Sequence, residues 1–262
     1  MNSIEEYKRK IIEIFEPRSI RKNWIIRWAF NEIRDETEYL ILGINPSNSY
    51  KMFKEMIDEF RNDNNYITRF AGLHEVLEDL QSGNSKQSNQ SKYDEFLSDK
   101  NNESYITQLQ ELAHIYHKHF KKHKYFAKKL KLKNKYQFFD LFPIWEIKQK
   151  NLLNKMKNEK EESINAFVGL VDRHPNLKGL FFFNAGAGKF FMEERKADWD
   201  LIERVDVREL NDNKGSRISI VKKGSINLIN RDIDVFSFGI GGHWNNAQLD
   251  KLAKKSMKYL SN

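Results

Sequence analysis

The chain has 262 residues, 39% of them hydrophobic and 13% aromatic, which is enough apolar material for one sizeable core and excludes disorder throughout. It contains no cysteine, so a disulfide framework, a thiolate nucleophile and cysteine-held zinc or iron–sulfur clusters are ruled out. A formal charge of +8 favours a polyanionic partner, because lysine and arginine gain affinity by releasing counterions from phosphates; solubility alone is the competing reading of the same charge.

In chain order, residues 4–15 place Ile4, Tyr7, Ile11, Ile12 and Phe15 at helical spacing, and Trp24, Ile25, Trp28 and Ala29 repeat an apolar face over 24–33. The run Glu38-Tyr39-Leu40-Ile41-Leu42 then enters Gly43-Ile44-Asn45-Pro46-Ser47. A short continuous apolar run stopped by Gly and Pro predicts a strand buried on both faces of an α/β sheet, and ligands of such sheets sit at the strands' carboxyl ends. An ordinary strand-ending turn is the alternative for these residues. A helix is expected over Met52–Phe60. Residues 81–104 are polar and without apolar period, which predicts a loop.

The stretch Gln108–Lys135 reads as a helix that becomes strongly basic. Between Lys118 and Lys135 lie nine lysines and no carboxylate, interleaved with Phe120, Tyr125 and Phe126. Lys121, Lys122, Lys124, Lys128 and Lys129 are therefore candidate contacts to a nucleic-acid backbone; a solvated lysine face is the alternative. His119 and His123 share one helical face at metal-ligand spacing, but no acidic or cysteine partner lies nearby, so surface or phosphate-proximal histidines are expected and no metal.

A second strand is predicted at Tyr136–Pro143, holding Asp140, and a third at Leu177–Asn184, opening into Ala185-Gly186-Ala187-Gly188-Lys189. A phosphate-cradling loop would need a glycine at 183 and Ser or Thr at 190, and both positions are Phe. A hairpin-like pair at 216–222 and 225–229 precedes a last strand at 234–239, the loop Ile240-Gly241-Gly242-His243-Trp244-Asn245-Asn246 and a terminal helix. The expected organisation is one domain over 1–262, three-layer α/β/α with a short, mostly parallel central sheet, N-terminal helices within 1–36 and a polar and basic insertion at about 81–135. No apolar stretch approaches the roughly 18–20 residues of a membrane span, and MNSIEEYKRK lacks a signal-peptide core, so a cytoplasmic protein is expected.

Gly43-Ile44-Asn45-Pro46-Ser47 resembles the first active-site motif of the uracil-DNA glycosylase superfamily, especially its mismatch-specific and thymine-DNA branch, where the strand ends in G-I-N-P-G. The loop Gly241-Gly242-His243-Trp244-Asn245 sits where that superfamily has its second, His-centred motif. FFDLFP and LFFFNAGAGKFF fall in the order and spacing of its two other core strands. Ser47 replaces the usual glycine, and the second motif departs from the histidine-proline-serine form.

The resemblance implies a monofunctional, cofactor-independent DNA glycosylase that flips out a pyrimidine and hydrolyses its N-glycosidic bond, leaving an abasic site. Asn45 would hold the attacking water and His243 would donate a hydrogen bond to the leaving base, while Gly43, Ile44, Pro46 and Ser47 would line its pocket. Trp244 and Asn245 lie where the family inserts a wedge into the duplex, although a packed tryptophan is equally open. Asn184 would line the pocket or cap a turn. Uracil-excising relatives commonly end the second core strand in an asparagine. A carboxylate there, at Asp140, would repel O4 of uracil and accept from an amino group such as N4 of cytosine. That favours a modified cytosine of phage DNA, in antiviral defence, over uracil in repair. Asp140 capping a helix or pairing with a lysine is the alternative. DNA is the expected partner of a monomer, and a catalytically inactive DNA-binding module of the same fold is the second functional reading.

Overall fold

The computed structural model describes residues 3–22, 25–26, 33–44, 71–82, 86–102, 118–133, 135–145, 158–207, 218–240 and 244–260, together with positions 54, 58, 104–106, 108–109, 112, 152–154 and 156. The chain divides into two compact units, one formed by Met1–Pro46 with His123–Asn262 and the other by Ser47–Lys122. The inserted unit thus begins and ends earlier than the expected 81–135.

The first unit is α/β. After helix α1 (Ser3–Lys22) and a short strand β1 (Ile25–Ile26), strand β2 (Tyr39–Gly43) is followed by β3 (Tyr136–Asp140), β5 (Gly179–Phe182) and β8 (Asp232–Phe238). These four pair in parallel in the order β3-β2-β5-β8, and β7 (Ile218–Asn227) and β6 (Trp199–Asp206) extend the sheet antiparallel beyond β8. The sheet is therefore mixed. β1 pairs antiparallel with β4 (Ile144–Trp145), so Ile25 and Ile26 belong to a strand rather than the expected helix over 24–33.

Alternation along the strands separates two cores. Leu40, Leu42, Phe139, Leu180, Phe182 and Val235 meet Tyr7, Ile11 and Phe15 of α1, residues Ile164, Phe167 and Leu170 of α5 (Asn158–Asp172), and Phe191 of α6 (Ala185–Glu194). On the other face Ile41, Phe181, Phe183, Phe236 and Phe238 meet Phe126 and Ala127 of α4 (Lys118–Lys129), and Leu249 and Leu252 of α7 (Asn246–Ser256). The unbroken apolar run of β5 arises because both of its faces are covered.

Three expectations give way here. The expected helix to Lys135 stops at Lys129: Lys131 takes a left-handed φ of 59°, and the Leu132 amide bonds back to the Ala127 carbonyl at 3.1 Å, closing the helix end. The predicted hairpin at 216–229 is one continuous strand, β7. Gly224 marks no turn there; a Cβ on it would lie 2.6 Å from Met192 Cε and 2.7 Å from the Asp198 carbonyl, so glycine permits close strand approach. The antiparallel partner β6, WDLIERVD, escapes prediction because its bulge between Leu201 and Glu203 breaks the alternation.

Side chains tie the loops to the sheet. Glu38 pairs with Lys178 at 2.9 Å and with Lys135, and these hydrogen bonds, Lys135 first, hold its carboxyl below the ordinary range. The Arg231 guanidinium donates to the carbonyls of His174 (2.6 Å), Pro175 (2.8 Å), Val171 (3.4 Å) and Leu177, satisfying groups left over at the end of α5. Arg231→Met should cost about 2–4 kcal/mol, because several partly buried carbonyls lose a charged donor together. A lowered urea midpoint at unchanged slope would register this; a shift under about 0.5 kcal/mol would contradict it.

In the second unit, α2 (Ala71–Gln81) and α3 (Lys86–Ser98) occupy much of what was expected to be a loop over 81–104. Tyr93, Phe96 and Leu97, spaced at i, i+3 and i+4, form a buried stripe within an otherwise polar helix, too narrow to stand out in composition. Of the helix expected over Met52–Phe60 only positions 54 and 58 are described, and both are helical. Among the described residues, no helix is long and apolar enough to cross a membrane.

Candidate functional site

The parallel strands fix where a ligand would sit. From β2 the chain leaves toward β3 on one side, whereas from β5 it leaves toward β8 on the other, so the order reverses between β2 and β5. The crevice outside the carboxyl ends at such a switch point is the ligand position of open α/β sheets. β2 is held firmly up to that point, since the Leu141 amide donates to the Gly43 carbonyl at 3.1 Å and the Phe142 amide to the Ile44 carbonyl at 2.8 Å. Ile44 itself is buried in the α1-side core.

One row of residues ends the opposite face. Gly43 is in register with Asp140, and two residues beyond the Ile41–Phe181 pairing it comes level with Phe183, which neighbours Phe238. Phe183 is an apolar floor, packed edge-on against Phe126 at 5.1 Å and His123 at 5.2 Å. Beside it the Asp140 carboxyl turns across Gly43: a Cβ on Gly43 would stand 2.3 Å from Asp140 Oδ1. Asp140 is only 8% exposed, and burial raises its pKa to about 7. The row joins the buried Phe183 ring to a glycine whose Cβ position is filled by a buried carboxyl of raised pKa. A carboxyl at such a strand end can read one polar edge of a ligand.

Gly43→Ala should expel the Asp140 carboxyl from this position and destabilise the protein by about 1–3 kcal/mol. In an Asp140→Ala background the same change should cost markedly less, because the clashing atom is gone. Equal costs in both backgrounds, measured by urea unfolding, would show that the two residues do not compete for the notch.

Other candidates have structural duties. Asn184 is the N-cap of α6, its Oδ1 accepting from the amides of Gly186 (2.9 Å) and Ala187 (3.2 Å). The donors that a phosphate would use after this strand are thus already engaged by the chain's own amide oxygen. Asn245 caps α7 in a capping box, exchanging 3.0 Å hydrogen bonds with Gln248. Trp244 is 4% exposed within the core, the packed arrangement that was the alternative to a wedge, and the indole would have to leave that packing to enter a duplex. Asn45, Pro46, Ser47 and His243 lie outside the described residues.

The basic helix is likewise divided. Lys129 pairs with Asp250 at 3.0 Å and lies 5.0 Å over the Tyr125 ring, whose hydroxyl donates to the same carboxylate at 2.9 Å. Lys128 is exposed, Lys124 is half-buried, and Lys121 and Lys122 belong to the 47–122 unit. His123 is not at the surface: it is 9% exposed, stacked 6.3 Å from Phe138. Among the described residues no group of three His, Asp or Glu side chains could hold a metal. Phe183 is the site neighbour that the sequence did not single out, and His123 was considered there only as a metal ligand or a surface or phosphate-proximal histidine. Phe183 is hidden in a run apolar on both faces, and His123 looks like one of several helix histidines. No known protein family, curated protein or solved structure matches this chain.

Proposed function

We propose that the protein is a DNA glycosylase of uracil-DNA-glycosylase type, with a three-layer α/β/α core, that excises a pyrimidine and leaves an abasic site. The observation that carries this reading is the Asp140 carboxyl seated over Gly43 beside Phe183, at the switch point, where Gly43 opens the sequence Gly-Ile-Asn-Pro-Ser. The charge of +8 supports a phosphate-rich partner. Its proposed setting is intracellular.

In the proposed reaction a flipped base lies against the apolar floor with its edge at Asp140, and Asn45 holds a water beneath the sugar. The N-glycosidic bond breaks with oxocarbenium character on the sugar and negative charge on the base. His243 donates a hydrogen bond to that charge, and water adds to C1′. A base carrying an amino group, such as a modified cytosine, suits an ionised Asp140 better than uracil does.

The test is incubation, with chelator present, with duplexes containing uracil, a thymine mismatch or modified cytosines, followed by alkali. Strand cleavage at the altered base supports the reading. Intact strands with all of them, alongside tight duplex binding, would instead favour a binding module that lacks catalysis.

A further inference from the structure

Helices α4 and α7 cover the same face of the sheet and meet at Asp250, which accepts from the Tyr125 hydroxyl at 2.9 Å and pairs with Lys129 at 3.0 Å. Asp250 is the one carboxylate in the sequence of either helix, and these contacts already engage it. On α7 the buried Leu249, Leu252 and Ala253 turn inward, so Lys251, Lys254 and Lys255, at i, i+3 and i+4, form an exposed stripe on the outward side. On α4, Lys128 is exposed opposite the buried Phe126, Ala127 and Leu130, and the turn that closes the helix adds Lys131 and Lys133, exposed on either side of the buried Leu132. Among the described residues none of these six lysines forms an ion pair. Lys131 and Lys133 also hold left-handed φ values of 59° and 52°. Glycine takes that region without cost and is the usual occupant of a helix-closing turn, so lysine at both positions points to a use for its side chain.

The chemistry of this face selects its partner. Among the described residues α4 and α7 expose no large apolar side chain that a membrane could take up. Tyr125 is half-buried, with Lys129 5.0 Å over its ring, so it offers no open platform on which the bases of a single strand could stack. What is left is an array of ammonium groups without stacking or edge-reading side chains, which suits phosphates held in the regular order of a double helix. We propose that the outward face of α4 and α7, with the turn after α4, binds the backbone of duplex DNA independently of sequence, as a contact surface additional to the Asp140–Gly43–Phe183 row. It deepens the duplex-binding part of the function proposed above and does not require that a base be excised.

Fluorescence anisotropy of the full chain with an undamaged duplex, over a series of salt concentrations, tests this. Lys131→Gly should lower affinity about fivefold or more and reduce the slope of log affinity against log salt by about one, because one phosphate contact is lost. Lys254→Gln combined with Lys255→Gln should reduce the slope by about two. Lys196 supplies the matched control: it is exposed, has a left-handed φ of 49° and follows α6 on the other side of the sheet. Lys196→Gly removes the same charge from the same backbone conformation and should change affinity by less than about twofold. Glycine suits both turns, so both variants should unfold in urea at or above the midpoint of the unmutated protein, which separates lost binding from lost folding. Equal losses in Lys131→Gly and Lys196→Gly would make the effect one of net charge and overturn the proposal, as would tighter binding to phosphatidylserine vesicles or to a single strand than to the duplex. Base excision by the unmutated protein, with duplex affinity and salt slope unchanged in the lysine variants, would overturn this face and leave the glycosylase; the expected losses in a protein that excises no base would do the reverse.

Discussion

Replacing Asp140 with Asn should invert the base preference, lowering excision of an amino-bearing pyrimidine relative to its oxo counterpart by roughly 100-fold, equivalent to about 2.7 kcal/mol. The ionised carboxyl accepts a hydrogen bond from an exocyclic amino group and repels a carbonyl oxygen, whereas an amide can turn its NH2 toward that oxygen. With the pKa of Asp140 raised to about 7 by burial, the unmutated protein should itself change preference with pH. Below about 7 the neutral acid can donate to a carbonyl oxygen, so both bases are tolerated. Above it the carboxylate discriminates, and the ratio of amino-base to oxo-base excision rises. In Asp140→Asn the ratio should be flat across the same range. A ratio that is already flat in the unmutated protein would remove Asp140 from the base-reading edge.

Stability follows the same group with a definite sign. Its folded pKa of about 7 lies above the value of 3.8 expected in the unfolded chain, so the folded state holds this proton more tightly. The contribution to stability is fully present below about pH 4. It falls as pH rises between about 4 and 7, and it is lost above that, by on the order of 4 kcal/mol. Asp140→Asn should remove that fall. Urea unfolding at pH 5 and pH 8 would measure it, and an equal pH dependence in both proteins would assign the effect to other groups. A carboxyl kept buried at such a cost at the end of a strand is the pattern of a functional group.

How far the fold could be read from the sequence depended on local signals. The parallel strands β2 and β5 were legible because burial leaves an unbroken apolar run, which has few other uses, whereas β3 and β8 carry shorter apolar stretches interrupted by Gln137 and by Asp234 and Ser237. The antiparallel edge was not. Gly224 carries the mark of a turn, yet it serves contacts with Met192 and Asp198, which are remote in sequence. Asn184 was read as lining a pocket or capping a turn and Asn245 as part of a wedge loop, but whether such a residue meets a ligand or its own helix depends on the backbone that follows. Both cap. Trp244 follows the same logic, since the core it joins is assembled from separate elements, among them β5 and α7. Asp140 was legible as chemistry out of place on an apolar strand; its approach to Gly43 was not, because it depends on strand register.

Asn45→Ala should lower the single-turnover rate of base excision by about 100- to 1000-fold, with duplex affinity nearly unchanged. The warrant is positional. The ladder contacts from Leu141 and Phe142 fix β2 through Ile44, the residue before Asn45 in the sequence. A side-chain amide there can hold a water by its carbonyl oxygen without bearing charge. That suits a reaction in which the sugar becomes cationic before the water must lose its proton, so strong basicity is unnecessary and orientation matters most. Loss of one preorganised polar contact at a developing charge typically costs this much, about 3–4 kcal/mol in the barrier. Asn45→Asp separates orientation from charge: a carboxylate can hold the same water and should retain far more activity than alanine. If Asn45→Ala excises the base at the rate of the unmutated protein, the water is held elsewhere.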